Sequence, residues 1–553
     1  MAATPASSPA PSPTSTAQEP PSTAPPPLSV NMYLETNLVP ARAVTPPVSA
    51  LDLPELAAHA PTTPTLLSNA MTMTNQANIV VPNLINRLPD ELLALIFEFT
   101  VFSSDYRSAK PAKAILGLSA VSALWRSLTL AHSRLWATPT KLPPSLTELF
   151  LARSRAAPLH FAINWNRLAI PESTELYVLL HSQRNRWMSV SVGIDATTPR
   201  EIFQLLQTGP APNLRSLTLH RAYTDGVIPG AAARDFFEND APLLREIRLC
   251  GVAMPLCGKI FEPIKKLALD RIQFYGTDPV RTFLRLIARL PCLQSLSLSS
   301  VDFISSPDDF EFGRPSAEWT STKFSASFAC LTITGVNPTT IKAILALAAV
   351  NSHTVIDISV KYLDLSEKML GDLLPDSRIE LVGMSNLGRT THLLVYGGVE
   401  SNTRDSRDNM FKVKGWSKDG LPTLVITVAP ESSWKPFATP EVHGIIASLV
   451  PTARLAMHLS TITMDRFTFS SSTNDYLAGS ISRLGSLQEI ILHRCRDKEG
   501  REDWLREFAK ACPTFRHLWI CCFEDDVPPE TTGRLRKGLG PEEVRTTRCA
   551  RRR

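Results

Sequence analysis

A short pattern of apolar residues recurs along most of this chain and limits the folds that it can adopt. In each copy one apolar residue is followed by two variable residues, and then by two apolar residues that flank a variable one. Seven copies begin at Leu214, Leu244, Ile264, Leu293, Leu421, Leu487 and Phe515. Apolar residues at every second position predict a strand with one buried face. Recurrence at intervals of roughly 20 to 30 residues predicts a stack of similar units.

Helical segments precede several of these strands, as at residues 279–290 and 501–512. Strands that alternate with helices build a parallel sheet with the helices on its other side. The pattern resembles an irregular leucine-rich-repeat solenoid, an α/β repeat fold that we place over residues 141–527. An ordinary α/β domain is the alternative. Strands at 158–165 and 186–193 are expected to cap the first repeat, and weaker strand candidates fill the later part of the chain: Leu331/Ile333, Ile356/Ile358, Ile379/Leu381, Leu393/Val395 and Leu455/Met457.

The two ends of the chain differ in composition from the repeats. Residues 1–83 hold 16 of the 45 prolines and carry a net charge of −3, so we expect residues 1–82 to form a disordered arm. Residues 534–553 carry eight basic and two acidic residues, and we assign 528–553 to a basic C-terminal tail. The region between is close to neutral, which argues against a broad nucleic-acid-binding surface.

The chain lacks the residues that several functional classes require. The nine cysteines contain no CxxC pair, and the eleven histidines have no ligand spacing, so we expect no metal site and no cofactor. Phosphate-binding, metalloprotease and serine-hydrolase motifs are absent, so we expect no catalytic site. No secretory signal and no run of about 18 apolar residues occurs. The sequence therefore predicts a protein of the cytoplasm or nucleus without membrane contact.

Residues 83–140 form a second kind of region, with apolar residues at helical spacing. A first helix is predicted to begin near Pro89 and to carry Leu92, Leu93, Ile96, Phe97 and Phe99. A second helix is predicted over 115–128, and a third short turn ends at 135–136. Three short helices bury little surface by themselves. Their surplus of apolar side chains indicates a partner.

The residues LPDELLALIF at 88–97, VSALWRSL at 121–128 and LW at 135–136 resemble the F-box, whose motif reads roughly LPxELLxxIF, VCxxWRxL and LW. The match covers about 50 residues. With repeats behind it, the chain is similar to F-box-like proteins of mushroom-forming fungi, in which a proline-rich arm, an F-box and degenerate repeats follow in that order. Two features depart from the family: the segment 101–113 is longer than usual, and Ser122 stands where the family often has Cys.

This resemblance implies a non-catalytic subunit of a Skp-cullin-F-box ubiquitin ligase. Its F-box would bind the Skp-type adaptor, and through it a cullin, while the repeats would bind a protein substrate. The expected adaptor-binding residues are Leu88, Pro89, Leu92, Leu93, Ile96, Phe97, Val121 and Trp125, with Trp125 and Phe97 as large anchors. Some of them must instead pack internally, and the sequence leaves that division open. The alternatives are a leucine-rich-repeat scaffold without a ligase role and, with less support, nucleic-acid binding through the basic tail.

Substrate binding is expected on the strands of the repeats. The variable residues between the leucines should point to solvent, because side chains alternate along a strand. These positions include Ser216, Thr218, Glu246 and Arg248 near the start and Trp519 near the end. Residues of both charges and several hydroxyl groups occur among them, so these positions do not indicate a particular class of ligand. Arg248 and Trp519 are the predicted substrate anchors, since Arg and Trp are frequent binding hot spots.

Overall fold

The computed structural model describes residues 84–102, 111–140, 142–164, 170–194, 206–221, 236–252, 254–305, 322–362, 384–396, 411–430, 458–465, 468–469, 484–493, 496–497, 516–521 and 544–547. The predicted arm, the strand candidates Ile379/Leu381 and Leu455/Met457, the helix at 501–512 and Phe515 lie outside these residues.

Helices occupy the first part of the described chain and then lie between strands. They are α1 (Asp90–Phe102), α2 (Pro111–Val121), α3 (Ala123–Ala131), α4 (Pro144–Ser154), α5 (Ile170–His181), α6 (Pro279–Ala288) and α7 (Pro338–Leu347). Short 3-10 turns span Leu84–Arg87, Ser133–Trp136, Arg184–Arg186, Phe236–Asn239, Lys259–Phe261 and Ser385–Arg389. The α6 helix confirms the helix predicted before Pro291. Its Asp278 side chain caps the N-terminus by accepting a hydrogen bond from the Arg281 N–H at 3.1 Å.

Strands make up most of the remainder. They are β1 (Leu159–Asn164), β2 (Trp187–Ile194), β3 (Ser216–Arg221), β4 (Glu246–Cys250), β5 (Lys266–Asp270), β6 (Gln273–Gly276), β7 (Ser295–Ser299), β8 (Asp302–Ser305), β9 (Thr322–Lys323), β10 (Cys330–Thr334), β11 (Ala348–Ala349), β12 (Val355–Tyr362), β13 (Thr390–Tyr396), β14 (Phe411–Ser417), β15 (Pro422–Pro430), β16 (Thr461–Asp465), β17 (Thr468–Phe469), β18 (Glu489–His493), β19 (Arg496–Asp497), β20 (His517–Cys521) and β21 (Val544–Thr547).

Fifteen of these strands form one long sheet, and its order is β1-β2-β3-β4-β5-β7-β10-β12-β15-β14-β13-β16-β18-β20-β21. Neighbouring strands are parallel except at β14, which is antiparallel to both β13 and β15. The remaining strands pair in three small two-stranded sheets. The chain is thus a mixed α/β fold with a long parallel sheet that resembles a leucine-rich-repeat solenoid, and β1 and β2 begin it as predicted.

The leucines of each repeat face a single continuous core. In β7, Leu296 and Leu298 are fully buried, and the Ser residues between them are partly exposed. The same in-register positions of β5 are filled by Leu267 and Leu269. Helix α6 adds its buried apolar residues to this core, so it packs on the side of the sheet opposite to the serines. A fully buried leucine side chain contributes about 2 kcal/mol.

Directly after each of four successive strands of the long sheet, one residue has a positive φ angle. Gly251, Arg271, Ser300 and Gly335 have φ angles of 64°, 52°, 49° and 62°. The N–H of each of them donates a hydrogen bond to a carbonyl of the next strand in the sheet, at 2.7 to 2.9 Å. The acceptor is the last residue of β5, β7 and β10 in the first three cases and Ser359 within β12 in the fourth. This strand-end ladder turns the chain away from the sheet at the same point in these four repeats. It also couples each repeat to the one that follows.

The sequence predicted a parallel sheet, but the middle of the sheet contains the antiparallel strand β14. Leu421, the first residue of a predicted repeat, lies in the turn between β14 and β15 and is 57% exposed, whereas Leu424 and Ile426 of the same copy are buried. The turn is closed by the Ser417 N–H, which donates to the Leu421 carbonyl at 2.9 Å. Residues 417–421 thus reverse the chain where the pattern predicted the entry to a parallel strand.

The end of the sheet reaches into the segment that the sequence assigned to a basic tail. Residues Val544–Thr547 form β21, which pairs in parallel with β20. Alternation of β-branched residues at 544 and 546 suits a strand, and the open edge of β20 offers it unpaired backbone groups. The sheet therefore extends beyond residue 527.

Candidate functional site

The helices α1 to α3 have their own small core. Leu93, Phe97 and Val101 of α1 pack with Ile115 of α2 and with Leu135 of the following turn, and all five are buried. Their spacing in α1 is i, i+4 and i+8, so they share one side of the helix. This core is a cluster separate from the core of the repeats.

Two tryptophans tie the helices together. The ring of Trp125 lies 4.8 Å from that of Phe97, measured between centroids. Trp136 is 2% exposed, and its Nε1–H donates to the Thr129 carbonyl at 2.8 Å. Its ring also makes an edge contact with Phe150 of α4 at 4.9 Å. The helix α4 therefore links this core to the first repeats, because the adjacent Leu151 belongs to the core of the solenoid.

The opposite side of α1 is also apolar, but it is exposed. Leu92, Leu95, Ile96 and Phe99 are 47%, 49%, 39% and 74% exposed. They follow the spacing i, i+3, i+4 and i+7, which places them in one stripe along the helix. We call these four residues the α1 stripe. A helix that is apolar on both sides is normally covered on both.

The next two helices add further exposed apolar residues. Leu116 and Val121 of α2 are 61% and 60% exposed, and Leu124 and Leu130 of α3 are 38% and 41% exposed. Eight of the fifteen large exposed apolar side chains in the described residues thus lie on α1 to α3. Such a concentration on three short helices is typical of an interaction surface.

The eight residues predicted to bind the adaptor fall into exposed and buried groups in the structure. Leu92, Ile96 and Val121 are exposed, as is Pro89, which lies one residue before α1. Leu93 and Phe97 are 0% exposed and contribute to the helical core. Leu88 and Trp125 are partly buried against that core. Phe99 and Leu95 were not among the eight, although their spacing from Leu92 could have indicated them.

Residue 122 divides the predicted second helix into two. Helix α2 ends at Val121 and α3 begins at Ala123. The Ser122 hydroxyl between them accepts a hydrogen bond from the Trp125 N–H at 3.1 Å, which caps α3. Ser at this position, where the F-box motif often has Cys, is therefore explained by helix capping. Of the long segment between the first two helices, residues 103–110 lie outside the described part.

The solvent-facing side of the long sheet is the second candidate surface. The register places Thr218 of β3, Arg248 of β4 and Ala268 of β5 in one row across the strands. Arg248 is exposed, as predicted from its position in the repeat, whereas Thr218 is only 7% exposed. Trp519 is partly buried, and its register partners are Ile491 of β18 and Arg545 of β21.

A cation stands directly before each of three adjacent strands, and these cations were not among the predicted substrate-binding positions. Arg215, Arg245 and Lys265 precede β3, β4 and β5, and their side chains are exposed or partly exposed. In each of these three repeats two variable residues follow the first apolar residue, and the first of them lies directly before the strand. The second residue of the motif was thus a usable signal for three further cations.

A small polar network closes the far end of β4 and β5. An Arg271 Nη2–H donates to the Cys250 sulfur at 2.6 Å, and the thiol in turn donates to Asp270 Oδ2 at 3.0 Å. Burial and the hydrogen bond to Asp270 raise the pKa of the Cys250 thiol, so it stays protonated. Burial alone would raise the pKa of Asp270, but hydrogen bonds from Cys250 and Ser299 and the charges of Arg271 and Arg248 lower it. A protonated thiol is a poor nucleophile, and the network is structural.

The described residues include neither a metal-binding cluster nor a membrane-spanning helix. No group of three or more His, Cys, Asp or Glu among them is arranged to hold a metal ion. None of their helices has the length and apolar character needed to cross a membrane.

Comparison with known proteins adds one distant similarity. No family model and no curated protein matches the chain. Among solved structures, the chain is similar to that of an LRR protein from Leptospira interrogans, with 14% identity, coverage of 71% of this chain and 98% of that chain, and a TM-score of 0.22.

Proposed function

We propose that the chain is a non-catalytic, substrate-recognition subunit of a Skp-cullin-F-box ubiquitin ligase. In this proposal α1 to α3 bind a Skp-type adaptor, and the adaptor connects them to a cullin. The repeats bind the protein substrate. The assembly would act in the cytoplasm or nucleus.

The α1 stripe is the observation that carries this proposal. Its four apolar side chains are exposed on a helix whose other side is packed, and they lie within the segment that resembles the F-box. Burying the exposed half of Leu92 and of Ile96 against a partner would contribute about 1 kcal/mol for each residue. Together with Phe99 and the exposed residues of α2 and α3, the gain supports a stable complex.

Capture of a recombinant fungal Skp-type adaptor by the full chain tests this function. The informative variant is Leu92→Gln/Ile96→Gln, because both residues are exposed and their replacement leaves the helical core unchanged. Val178→Gln/Leu421→Gln is a matched control, since these residues are 59% and 57% exposed but lie outside α1 to α3. We expect the first variant to weaken adaptor binding by at least about tenfold and the control to bind as the wild type does. Absence of binding by the wild type would refute the ligase assignment.

A repeat-based interaction scaffold without a ligase role is the second candidate. It is favoured by the core of the repeats, which extends from β1 to β20 as a cluster distinct from the helical core. This function predicts that the repeats capture protein partners equally well when the α1 stripe is mutated and no adaptor is present.

A further inference from the structure

Positive charge is concentrated on β4, on β5 and on the residues that directly precede β3, β4 and β5. We call the set the basic face, and it comprises Arg215, Arg245, Arg248, Lys265 and Lys266. Glu246 is the exposed acid among them, and Asp270, at the far end of β5, is already paired with Arg271 at 3.4 Å. The equivalent positions at the next strand, β7, are occupied by uncharged residues, namely Gln294, Ser295 and Ser297. The charge therefore ends at β5.

The backbone register brings the cations close together. The Arg215 carbonyl accepts hydrogen bonds from the N–H groups of Arg245 and Glu246, and the Arg245 carbonyl accepts them from Lys265 and Lys266. Arg215, Arg245 and Lys265 thus occupy the same position in three neighbouring strands, which lie about 4.8 Å apart. Like charges at facing positions destabilise a sheet. An anionic ligand would offset this repulsion.

Most of these cations are available to such a ligand. Within the described residues, Arg215, Lys265 and Lys266 form no ion pair, and Arg248 forms none within 4.0 Å although its charge acts on Asp270. Arg245 is held in place by its own loop, since its Nη1–H group donates to the Pro242 carbonyl at 2.9 Å and to the Leu244 carbonyl at 3.0 Å. One fixed guanidinium flanked by cations without ion pairs suits recognition of carboxylate or phosphate groups.

We propose that the basic face binds an acidic, extended peptide segment of a partner protein. This inference rests on the proposed function, because it names the class of target that the repeats select. The charges of the face and of an acidic peptide are complementary, and the face spans three strands, which matches a short segment rather than a whole domain surface.

Nucleic acid fits this face less well than a peptide does. The solvent-facing positions of β3, β4 and β5 carry no Phe, Tyr or Trp on which bases could stack. The cations also stop at β5, whereas a backbone groove needs charge along its whole length.

Fluorescence anisotropy with the full chain tests the proposal. The probe is a fluorescein-labelled peptide of alternating glutamate and serine, and the same peptide with glutamine in place of glutamate is the uncharged comparison. The test variant is Arg215→Glu/Lys265→Glu. The control variant is Arg285→Glu/Arg289→Glu, which makes the same change in charge at exposed residues in and directly after α6, on the other side of the sheet.

We expect the wild type to bind the acidic peptide and not the glutamine peptide, with weaker binding as salt rises from about 50 to about 200 mM. The Arg215→Glu/Lys265→Glu variant should lose affinity roughly tenfold or more, and the α6 control should stay within about twofold of the wild type. A milder variant, Arg215→Gln/Lys265→Gln, should give an intermediate loss, which guards against misfolding of the charge-reversed protein.

Three results would overturn the proposal: no binding of the acidic peptide by the wild type, equal losses in the test and control variants, or tighter binding of a single-stranded oligonucleotide of equal charge. Adaptor capture measured in parallel separates this proposal from the ligase assignment. The basic-face variant should retain the adaptor, and Leu92→Gln/Ile96→Gln should retain the peptide.

Discussion

Phe97 and Phe99 lie two residues apart on α1 and have opposite surroundings. Phe97 is 0% exposed and its ring centroid is 4.8 Å from that of Trp125, whereas Phe99 is 74% exposed. Replacing each of them by alanine removes the same atoms from the same helix. The pair therefore separates the contribution of the helical core from that of the α1 stripe.

The two changes should affect stability very differently. Phe97→Ala leaves a cavity in a packed core and should lower the free energy of unfolding by about 3–5 kcal/mol. Phe99 has about a quarter of its side chain buried, so Phe99→Ala should lose about 0.7 kcal/mol of burial. The better helix propensity of alanine returns about 0.5 kcal/mol, which leaves a change close to zero.

Adaptor binding should show the reverse order among folded proteins. A partner that covers Phe99 would bury the remaining three quarters of its side chain, worth about 2 kcal/mol. Phe99→Ala should therefore raise the dissociation constant by about 30-fold. Hydrogen exchange of the α1 amides reports the stability of the helices, and calorimetric titration with the adaptor reports affinity.

Binding of the adaptor by Phe99→Ala within about twofold of the wild type, while its α1 amides remain protected, would contradict adaptor binding by the α1 stripe. Unchanged protection of the α1 amides in Phe97→Ala would contradict the packing of Phe97 in the helical core. The Val178→Gln/Leu421→Gln protein serves as the reference for nonspecific effects of apolar surface.

Three further changes probe individual contacts. Ser122→Ala removes the cap of α3 and should destabilise the helices by about 1 kcal/mol, measured by hydrogen exchange of α3. Gly335→Ala should lower the unfolding free energy by about 1–2 kcal/mol in urea titrations, because φ is +62° and the new methyl would lie 3.2 Å from Ser300 Oγ. The control, Ser300→Gly, should not lower the unfolding free energy. Burial, and then the charge of Arg134, lower the pKa of His160 below its ordinary 6.5. This residue therefore favours the folded state above that pH, and the advantage is lost as pH falls. In the His160→Asn variant, the melting temperature should change less between about pH 7 and about pH 5 than it does in the wild type.

The repeats were predictable because their signal is local. Leu296 and Leu298 alternate with serines, and this alternation alone indicates which side of β7 is buried. Reversal of the chain at Leu421 was not predictable in the same way, because the residues on either side of it match the pattern of a strand entry. Its place in a turn is decided by the pairing of β15 with β14, which involves residues outside the motif.

The division of α1 into core and surface also depends on distant residues. Both sides of the helix are apolar, so periodicity cannot tell Phe97 from Phe99. Phe97 is buried because Leu135 and Trp136 fold back onto its side of the helix about 40 residues later. Arg215 and Lys265, in contrast, could have been identified from the sequence, because each is the second residue of its repeat motif.

The hairpin of β14 and β15 has a consequence for the order in which the repeats fold. Hairpins close in about 1–10 μs, because their strands are neighbours along the chain. Parallel neighbours such as β10 and β12 must wait for a longer crossover to close, with a larger loss of chain entropy. We therefore expect β14 and β15 to form a folding nucleus inside the sheet, from which parallel strands are added in both directions. The terminal strands β1 and β21 would then acquire their partners last.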